Sequence, residues 1–205
     1  MSSKNISNIY DLAYTYLGYS SLSRSPDIDK LIDESIKELD KIAQFNYIYQ
    51  DFDYYLDFIK NNQVYLDFLN ESTHYYLVLM TLGKRVDDRV KYYSITDMKK
   101  MVVFDAVCGA YLEELSDNFE NDNFDELRTY RFCPGYQGTK TADLKDIFKV
   151  LKPERIGVNI LESNLMVPLK TMCGIIGFGK KMKKSCGKCD IKDKCEFRKR
   201  CMTCY

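Results

Sequence analysis

The segment RFCPGY, residues 131–136, brings together residue types that can hold a small charged ligand. The guanidinium of Arg131 can donate two parallel hydrogen bonds to a carboxylate. Pro134 fixes one backbone angle, and Gly135 allows a tight turn that approaches a ligand closely. The ring of Tyr136 can stack on a flat or cationic group. These residues alone predict either a site for an amino-acid-like ligand or a surface turn whose arginine pairs with an acid.

The carboxyl-terminal end contains a second candidate site, which is built from cysteine. Five thiols follow the pattern C-x2-C-x5-C-x5-C-x2-C, namely Cys186, Cys189, Cys195, Cys201 and Cys204. Thiolates at this spacing can converge on one metal centre. Four of them would hold either a structural zinc ion or a 4Fe-4S cluster, so the pattern predicts a metal site and leaves the metal open. We expect Cys133 and Cys173 to be buried thiols and His74 to be structural.

The charge of the chain is unevenly distributed. The formal net charge is zero, yet residues 180–205 hold ten Lys or Arg against three Asp or Glu. A basic tail can contact an acidic partner or nucleic acid. Its scarcity of aromatic residues disfavours nucleic acid. The sequence has no apolar leader and no run of about 20 apolar residues, so we expect a cytoplasmic protein without membrane contact.

Hydrophobic periodicity predicts several helices and strands. The predicted helices span residues 8–17, 26–43, 66–69, 84–93, 96–115 and 142–151. The predicted strands span residues 45–58, 75–82, 127–132, 156–161 and 172–178. The acidic stretch 113–126 is predicted to be the solvated end of a helix and a loop.

The order of these elements lacks regular βαβ alternation, which favours an α+β domain. We therefore predict an antiparallel or mixed twisted sheet flanked by helices. Residues 1–179 would form this domain, and residues 180–205 a short Cys-rich metal-binding tail.

RFCPGY resembles the Arg-x-x-x-Gly-Tyr motif of the activation domain of cobalamin-dependent methionine synthase, which binds S-adenosylmethionine in that family. The stretch IFKVLKPERIGVNILESNLMVPLKTMCGIIGFG resembles the family's following helix and its IGV-x-L-x-x-S-x-x-M-x-P-x-K-S segment. TLGKRVDDRV resembles a TLG-x-x-VD segment of the short, stand-alone forms. The likeness covers about residues 8–198 in the same order.

This resemblance implies a set of ligand contacts. Arg131, Gly135 and Tyr136 would bind S-adenosylmethionine, with Arg131 on the methionine carboxylate. Asp105 is a further candidate, because the family uses an acidic group on the preceding helix. The resemblance implies binding and positioning, and no side chain acting as acid, base or nucleophile.

The resemblance also implies partners. The chain would act in trans on a cobalamin-dependent methionine synthase without its own activation domain, or on another corrinoid protein, and the cobalamin would be carried by that partner. Flavodoxin or ferredoxin would supply the electron. Because reduction of cobalamin needs an electron, a 4Fe-4S cluster is favoured over zinc in the tail.

Two other interpretations stay open. The chain could be a zinc- or cluster-binding adaptor, or an activator of another corrinoid methyltransferase system that has lost S-adenosylmethionine binding. Brown protein purified without oxygen would favour a cluster, and colourless protein with zinc would favour the adaptor.

Overall fold

The computed structural model describes residues 6–19, 24–182, 184–185, 187 and 192–195. Its helices are α1 (Ile6–Tyr16), α2 (Pro26–Ile42), α3 (Asp57–Lys60), α4 (Gln63–Leu69), α5 (Lys84–Thr96), α6 (Met98–Asn123) and α7 (Leu144–Leu151). Its strands are β1 (Asn46–Phe52), β2 (Tyr75–Thr81), β3 (Asn159–Ile160), β4 (Met166–Val167) and β5 (Thr171–Gly177). Short 3-10 turns lie at Thr141–Asp143 and Pro153–Ile156.

Strand β2 is the centre of a three-stranded antiparallel sheet with the order β1-β2-β5. Val78 of β2 lies between Tyr49 of β1 and Gly174 of β5. Six of the seven residues of β2 are buried, which explains why its sequence is continuously apolar. The prediction of a buried central strand is confirmed. Strands β3 and β4 form a separate two-stranded hairpin.

Helices cover both faces of this sheet, because successive side chains of a strand point to opposite sides. Val78 and Met80 belong to a core that contains residues of α1, α2, α5 and α6. Leu77 and Leu79 belong to a second core that contains residues of α3, α4 and α7. The predicted α+β class is therefore confirmed, with an antiparallel sheet. No helix in the described ranges combines the length and apolar character that crossing a bilayer requires.

Helix α6 is longer than its sequence pattern predicts. It extends to Asn123, through most of the acidic stretch that we expected to be solvated. Glu114 and Glu120 are buried there. Their burial is possible because each carboxylate has a polar partner. Glu114 accepts a hydrogen bond from Asn8 at 2.7 Å, and Glu120 accepts one from Arg131.

The predicted strand 127–132 makes only isolated pairings, one with β5 and one with the residue that follows it. Arg128 pairs with Phe178, and Phe132 pairs with Ile175 through backbone bonds of 2.9 and 2.8 Å. Between them, the hydroxyl of Thr129 accepts from the amide of Gly177 at 2.9 Å, where a strand would use a carbonyl. The segment thus follows the outer edge of β5 and carries Arg131 past it towards α6.

His74 is structural, as predicted. The ring of His74 stacks on Phe178 with centroids 4.9 Å apart. Of the two thiols predicted to be buried, Cys173 is buried and Cys133 is only half-buried. Cys108 is also a buried free thiol.

Candidate functional site

Arg131 lies in a cluster of carboxylates on helix α6. Its Nη2 donates to Glu113 Oε2 at 2.7 Å and to Asp117 Oδ1 at 3.4 Å. Its Nη1 donates to Glu120 Oε1. The Arg131 side chain is 4% exposed and that of Glu120 is 8% exposed, so this pair is buried. We call Arg131 and these three acids the Arg131 cluster.

The helical repeat explains why these acids meet one guanidinium. Glu113, Asp117 and Glu120 are spaced by four and three residues, which places them on one face of α6. Sequence reasoning missed this cluster, because it treated the acidic stretch as solvated. The signal that could have found it is the spacing of the acids, followed eleven residues later by Arg131.

Gly174 of β5 makes room for the stem of Arg131. A β-carbon at Gly174 would collide with Arg131 Cγ and would lie 3.1 Å from both Arg131 Cδ and the Phe132 carbonyl oxygen. The β-carbons of other residues in proteins rarely lie this close to neighbouring atoms, and backbone atoms cannot easily move away. The glycine therefore allows the arginine to cross the strand and reach α6.

Asp117 is the most accessible acid of the cluster. Its side chain is 57% exposed, against 25% for Glu113. The pKa of Asp117 is raised, because desolvation together with the nearby Glu113 outweighs the attraction of Arg131. Its 3.4 Å contact with Arg131 is longer than the 2.7 Å contact that Glu113 makes. Asp117 is thus the partner of Arg131 whose displacement by a ligand would cost the least interaction energy.

The turn after Arg131 depends on Gly135. This residue has φ +98°, and a β-carbon there would lie 2.9 Å from Thr141 Cγ2. Its amide donates to Thr139 Oγ1 at 2.9 Å, and the same hydroxyl donates to the Tyr136 carbonyl oxygen at 2.7 Å. Gln137 and Gly138 also have positive φ, at 54° and 83°. A left-handed backbone of this kind favours glycine, so the Gly-Tyr step of the motif has a local structural cause.

Tyr136 lies on the outside of this turn and is 67% exposed. Neighbouring Pro134 and Thr139 are buried, so they hold the turn while the tyrosine ring faces outwards. Gln137 donates to the hydroxyl of Tyr130 at 3.3 Å, which ties the turn to the segment before Arg131. The motif therefore combines a buried guanidinium with an exposed aromatic ring five residues later.

A groove of about 360 Å³ adjoins the cluster. Glu120, which binds Arg131, is one of its lining residues. The other lining residues are Asn121, Glu126, Leu127, Arg128, Thr129, Tyr130, Lys181 and Met182. Its volume falls within the range of roughly 300–1,000 Å³ that small-molecule sites occupy.

Asp105 does not join the Arg131 cluster. It lies eight residues before Glu113 on α6, about 12 Å along the helix axis. Its Oδ1 pairs with Lys170 Nζ at 2.7 Å. Lys170 is held in turn by Asp87, whose carboxylate accepts from the amides of Leu169 at 2.6 Å and Lys170 at 3.4 Å. Asp105 thus stabilises the junction between the TLGKRVDD and MVPLKT segments.

Four of the five tail cysteines, Cys186, Cys189, Cys201 and Cys204, lie outside the described residues. Cys195 is described as a half-buried free thiol. Within the described ranges, no three His, Cys, Asp or Glu side chains are grouped so that they could hold a metal ion. The predicted metal site and the boundary at residue 180 stay predictions.

The comparisons with known proteins concern the fold. No protein-family model matches the sequence, and no curated protein matches it either. Among solved structures, the chain is similar to the MetH reactivation domain bound to AdoHcy, with a TM-score of 0.64 and 11% sequence identity. The similarity covers 97% of this chain and 83% of that chain. The chain therefore has the fold of the MetH reactivation domain, as its sequence motifs predicted.

Proposed function

We propose that this chain binds S-adenosylmethionine beside the Arg131 cluster and acts in trans as the reactivation component of a cobalamin-dependent methionine synthase. The observation that carries the proposal is that Arg131, which pairs with three acids of α6, directly precedes the Gly135–Tyr136 turn in the chain. The MetH reactivation domain, which shares the fold, was crystallised with AdoHcy. S-adenosylmethionine differs from AdoHcy by one methyl group on the sulfur.

The Arg131 cluster suits the zwitterionic end of such a ligand. We propose that the ligand carboxylate takes the place of Asp117 on Arg131 Nη2, because that contact is long and its acid is exposed. Asp117 would then accept a hydrogen bond from the ligand ammonium. This exchange keeps both the guanidinium and the carboxylate paired, so the binding step leaves no buried charge uncompensated.

The turn and the groove would hold the rest of the ligand. The exposed ring of Tyr136 can face the sulfonium or stack on the adenine. The groove shares Glu120 with the Arg131 cluster and is large enough for a nucleoside. Gly135 would contribute through the turn itself, because a β-carbon there would lie 2.9 Å from Thr141 Cγ2.

The protein's contribution to the reaction is positioning. Reactivation combines the oxidised cobalamin of the partner with one electron and the sulfonium methyl group, and leaves S-adenosylhomocysteine with methyl-cobalamin. Flavodoxin or ferredoxin would deliver the electron. Arg131 and Tyr136 would fix the sulfonium so that its methyl group faces the partner, and no side chain of this chain needs to transfer a proton.

The tail adds a separate element to the proposal. We propose that its five cysteines hold a 4Fe-4S cluster or zinc ion. Anaerobic purification followed by iron, sulfide and zinc analysis distinguishes the two. Colourless protein that contains no metal would remove this part of the proposal and leave the ligand site untouched.

Calorimetry with S-adenosylmethionine tests the ligand site. We expect wild type to bind, and Asp117→Asn and Tyr136→Ala each to weaken binding about tenfold or more. Asp57→Asn is the matched control, since the Asp57 side chain is 92% exposed and pairs with Lys60 of the same helix. Asp105→Asn decides the remaining candidate: unchanged affinity would restrict Asp105 to its contact with Lys170. No heat of binding with folded wild type would refute the proposal.

An anaerobic assay tests the action in trans. Oxidised methionine synthase without an activation domain is mixed with S-adenosylmethionine and reduced flavodoxin, with and without this chain. We expect methyl-cobalamin to form, by its visible spectrum, only when the chain is present. Equal formation in both samples would argue against a reactivation role even if the ligand binds.

A further inference from the structure

The corner where α5 meets α6 carries an exposed apolar patch. Tyr92, Ile95, Met98 and Val102 are each about half exposed or more, and Ile95 reaches 80%. All four fall within eleven residues of the chain. Apolar side chains that cluster in this way on a surface are typical of an interaction site. We call these four residues the α5–α6 corner.

Basic residues outnumber acids next to the corner, although Asp97, between Ile95 and Met98, is also exposed. Arg85, Lys91 and Lys99 are exposed, and in the described part of the chain none of them forms an ion pair. Residues 1–179 as a whole hold twenty Lys or Arg against twenty-seven Asp or Glu, so the domain that carries this rim is acidic. A basic rim around an apolar centre is complementary to a protein surface with an apolar centre and an acidic rim.

On α6, Val102 of the corner and Glu113 of the Arg131 cluster lie on the same face. Val102 precedes Glu113 by eleven residues, which is close to three full turns, so the two side chains point in nearly the same direction. Their separation along the axis is about 16 Å. Between them Gly109 faces the ring of Tyr16, which is itself 43% exposed.

We propose that the α5–α6 corner docks the cobalamin-carrying partner protein through an apolar contact ringed by acidic residues of that partner. This inference rests on the proposed function and adds the surface that it uses. A partner that covers about 800 Å² of this chain would extend across the 16 Å between the corner and the cluster. Docking at the corner therefore brings the partner over the ligand site.

The test uses the full chain and a cobalamin-loaded methionine synthase that lacks an activation domain. Affinity is measured by surface plasmon resonance for wild type, Ile95→Asp and the double variant Lys91→Glu/Lys99→Glu. We expect both variants to weaken partner binding about tenfold or more. Charge reversal should also reduce the dependence of affinity on salt. S-adenosylmethionine affinity should stay unchanged, because none of these residues contacts the Arg131 cluster.

Matched controls lie on the other side of the sheet. Leu165→Asp changes an exposed leucine of the β3–β4 hairpin, and Lys152→Glu/Arg155→Glu reverses two exposed charges after α7. We expect both to bind the partner as wild type does.

Two results would overturn the inference: corner variants with wild-type affinity, or controls that weaken partner binding equally. Failure of wild type to bind S-adenosylmethionine would instead refute the proposed function.

Discussion

The stem of Arg131 occupies the space into which a β-carbon of Gly174 would project. The lack of a side chain at Gly174 of β5 therefore allows the Arg131 guanidinium to reach the acids of α6. The ligand site is therefore sensitive to a residue that carries no functional group.

Gly174→Ala tests this relationship. The added methyl group collides with Arg131 Cγ and lies 3.1 Å from the Phe132 carbonyl oxygen, and backbone atoms move little. We expect a loss of about 1–3 kcal/mol in the free energy of unfolding by urea titration, together with weaker S-adenosylmethionine binding.

Gly109→Ala on α6 is the control for this variant, since its methyl group meets only the ring of Tyr16, at 3.2 and 3.3 Å. That ring is partly exposed and can move. Equal effects of the two variants on ligand binding would show that Arg131 is not the cause.

Arg131→Ala should be unstable in a pH-dependent way. Removing the guanidinium leaves three carboxylates facing one another, which costs about 3–5 kcal/mol at neutral pH. The pKa of Asp117 is already raised by desolvation, and the attraction of Arg131 opposes that rise, so removal of Arg131 raises this pKa further above its unfolded value. The folded variant then binds protons more readily, so the variant regains stability as the pH falls and loses it as the pH rises.

Urea unfolding at pH 7 and at pH 5 measures this effect in Arg131→Ala and wild type. A deficit that is equal at both pH values would show that the acids are not held together. Because this variant alters both stability and binding, Asp117→Asn is the better probe of the ligand.

Tyrosine–carboxylate hydrogen bonds fasten α2 to the helices around it. Tyr10 donates to Asp33 at 2.6 Å, and Tyr111 donates to Asp40 at 2.7 Å. The pKa values of both tyrosines are raised, first by burial and then by these bonds. Because the folded-state pKa lies above the unfolded value of 10.0, this stabilisation is complete below pH 10 and is lost as the pH rises towards the folded values.

We therefore expect the protein to unfold above pH 10. Circular dichroism would measure the loss of structure, and tyrosinate absorbance would measure the ionisation of the tyrosines. Tyr111→Phe should lower the free energy of unfolding by about 0.5–1.5 kcal/mol at neutral pH. Its deficit relative to wild type should shrink as the pH rises. A constant deficit up to the transition would contradict the assignment. Tyr75, whose pKa burial raises to about 12, should be among the late groups to ionise.

Thiol labelling should separate the cysteines of the domain from those of the tail. Burial raises the pKa of Cys108 and of Cys173, so both should react slowly with iodoacetamide in the folded protein. Cys133 is half-buried, and desolvation also raises its pKa. In reduced, chelator-treated protein, Cys195 should therefore react before Cys108, Cys133 and Cys173, as mass spectrometry of the peptides would show. Rapid modification of Cys173 without urea would contradict the described core.

Much of the fold follows from local pattern. The apolar run of β2 predicted a central strand because both of its faces are buried, and the stripe of α2 predicted a helix whose polar face is solvated. The α6 boundary was wrong because charge pattern cannot show whether distant Arg131 is available to pair with Glu113 and Glu120. Such a partner makes the burial of acids possible, and it is fixed only by tertiary structure.

The candidate site was predictable in part. The conformation of Gly135 follows from its sequence neighbours, since a Pro-Gly step favours a turn. The surroundings of Arg131 do not, because its stem depends on Gly174, forty-three residues away in the chain. Asp105 was predicted from its place on the preceding helix, and only the structure reveals that its carboxylate pairs with Lys170.

Because α6 is a single helix from Met98 to Asn123, its rise and rotation per residue fix the distance and the relative direction of the α5–α6 corner and the Arg131 cluster. Inserting one residue between them would turn the acids by about 100° relative to the corner, whereas inserting eleven would nearly restore their direction and lengthen the gap by about 16 Å. Such insertions would therefore change separately the direction of the acids relative to the corner and their distance from it, and so test which of the two a docked partner requires.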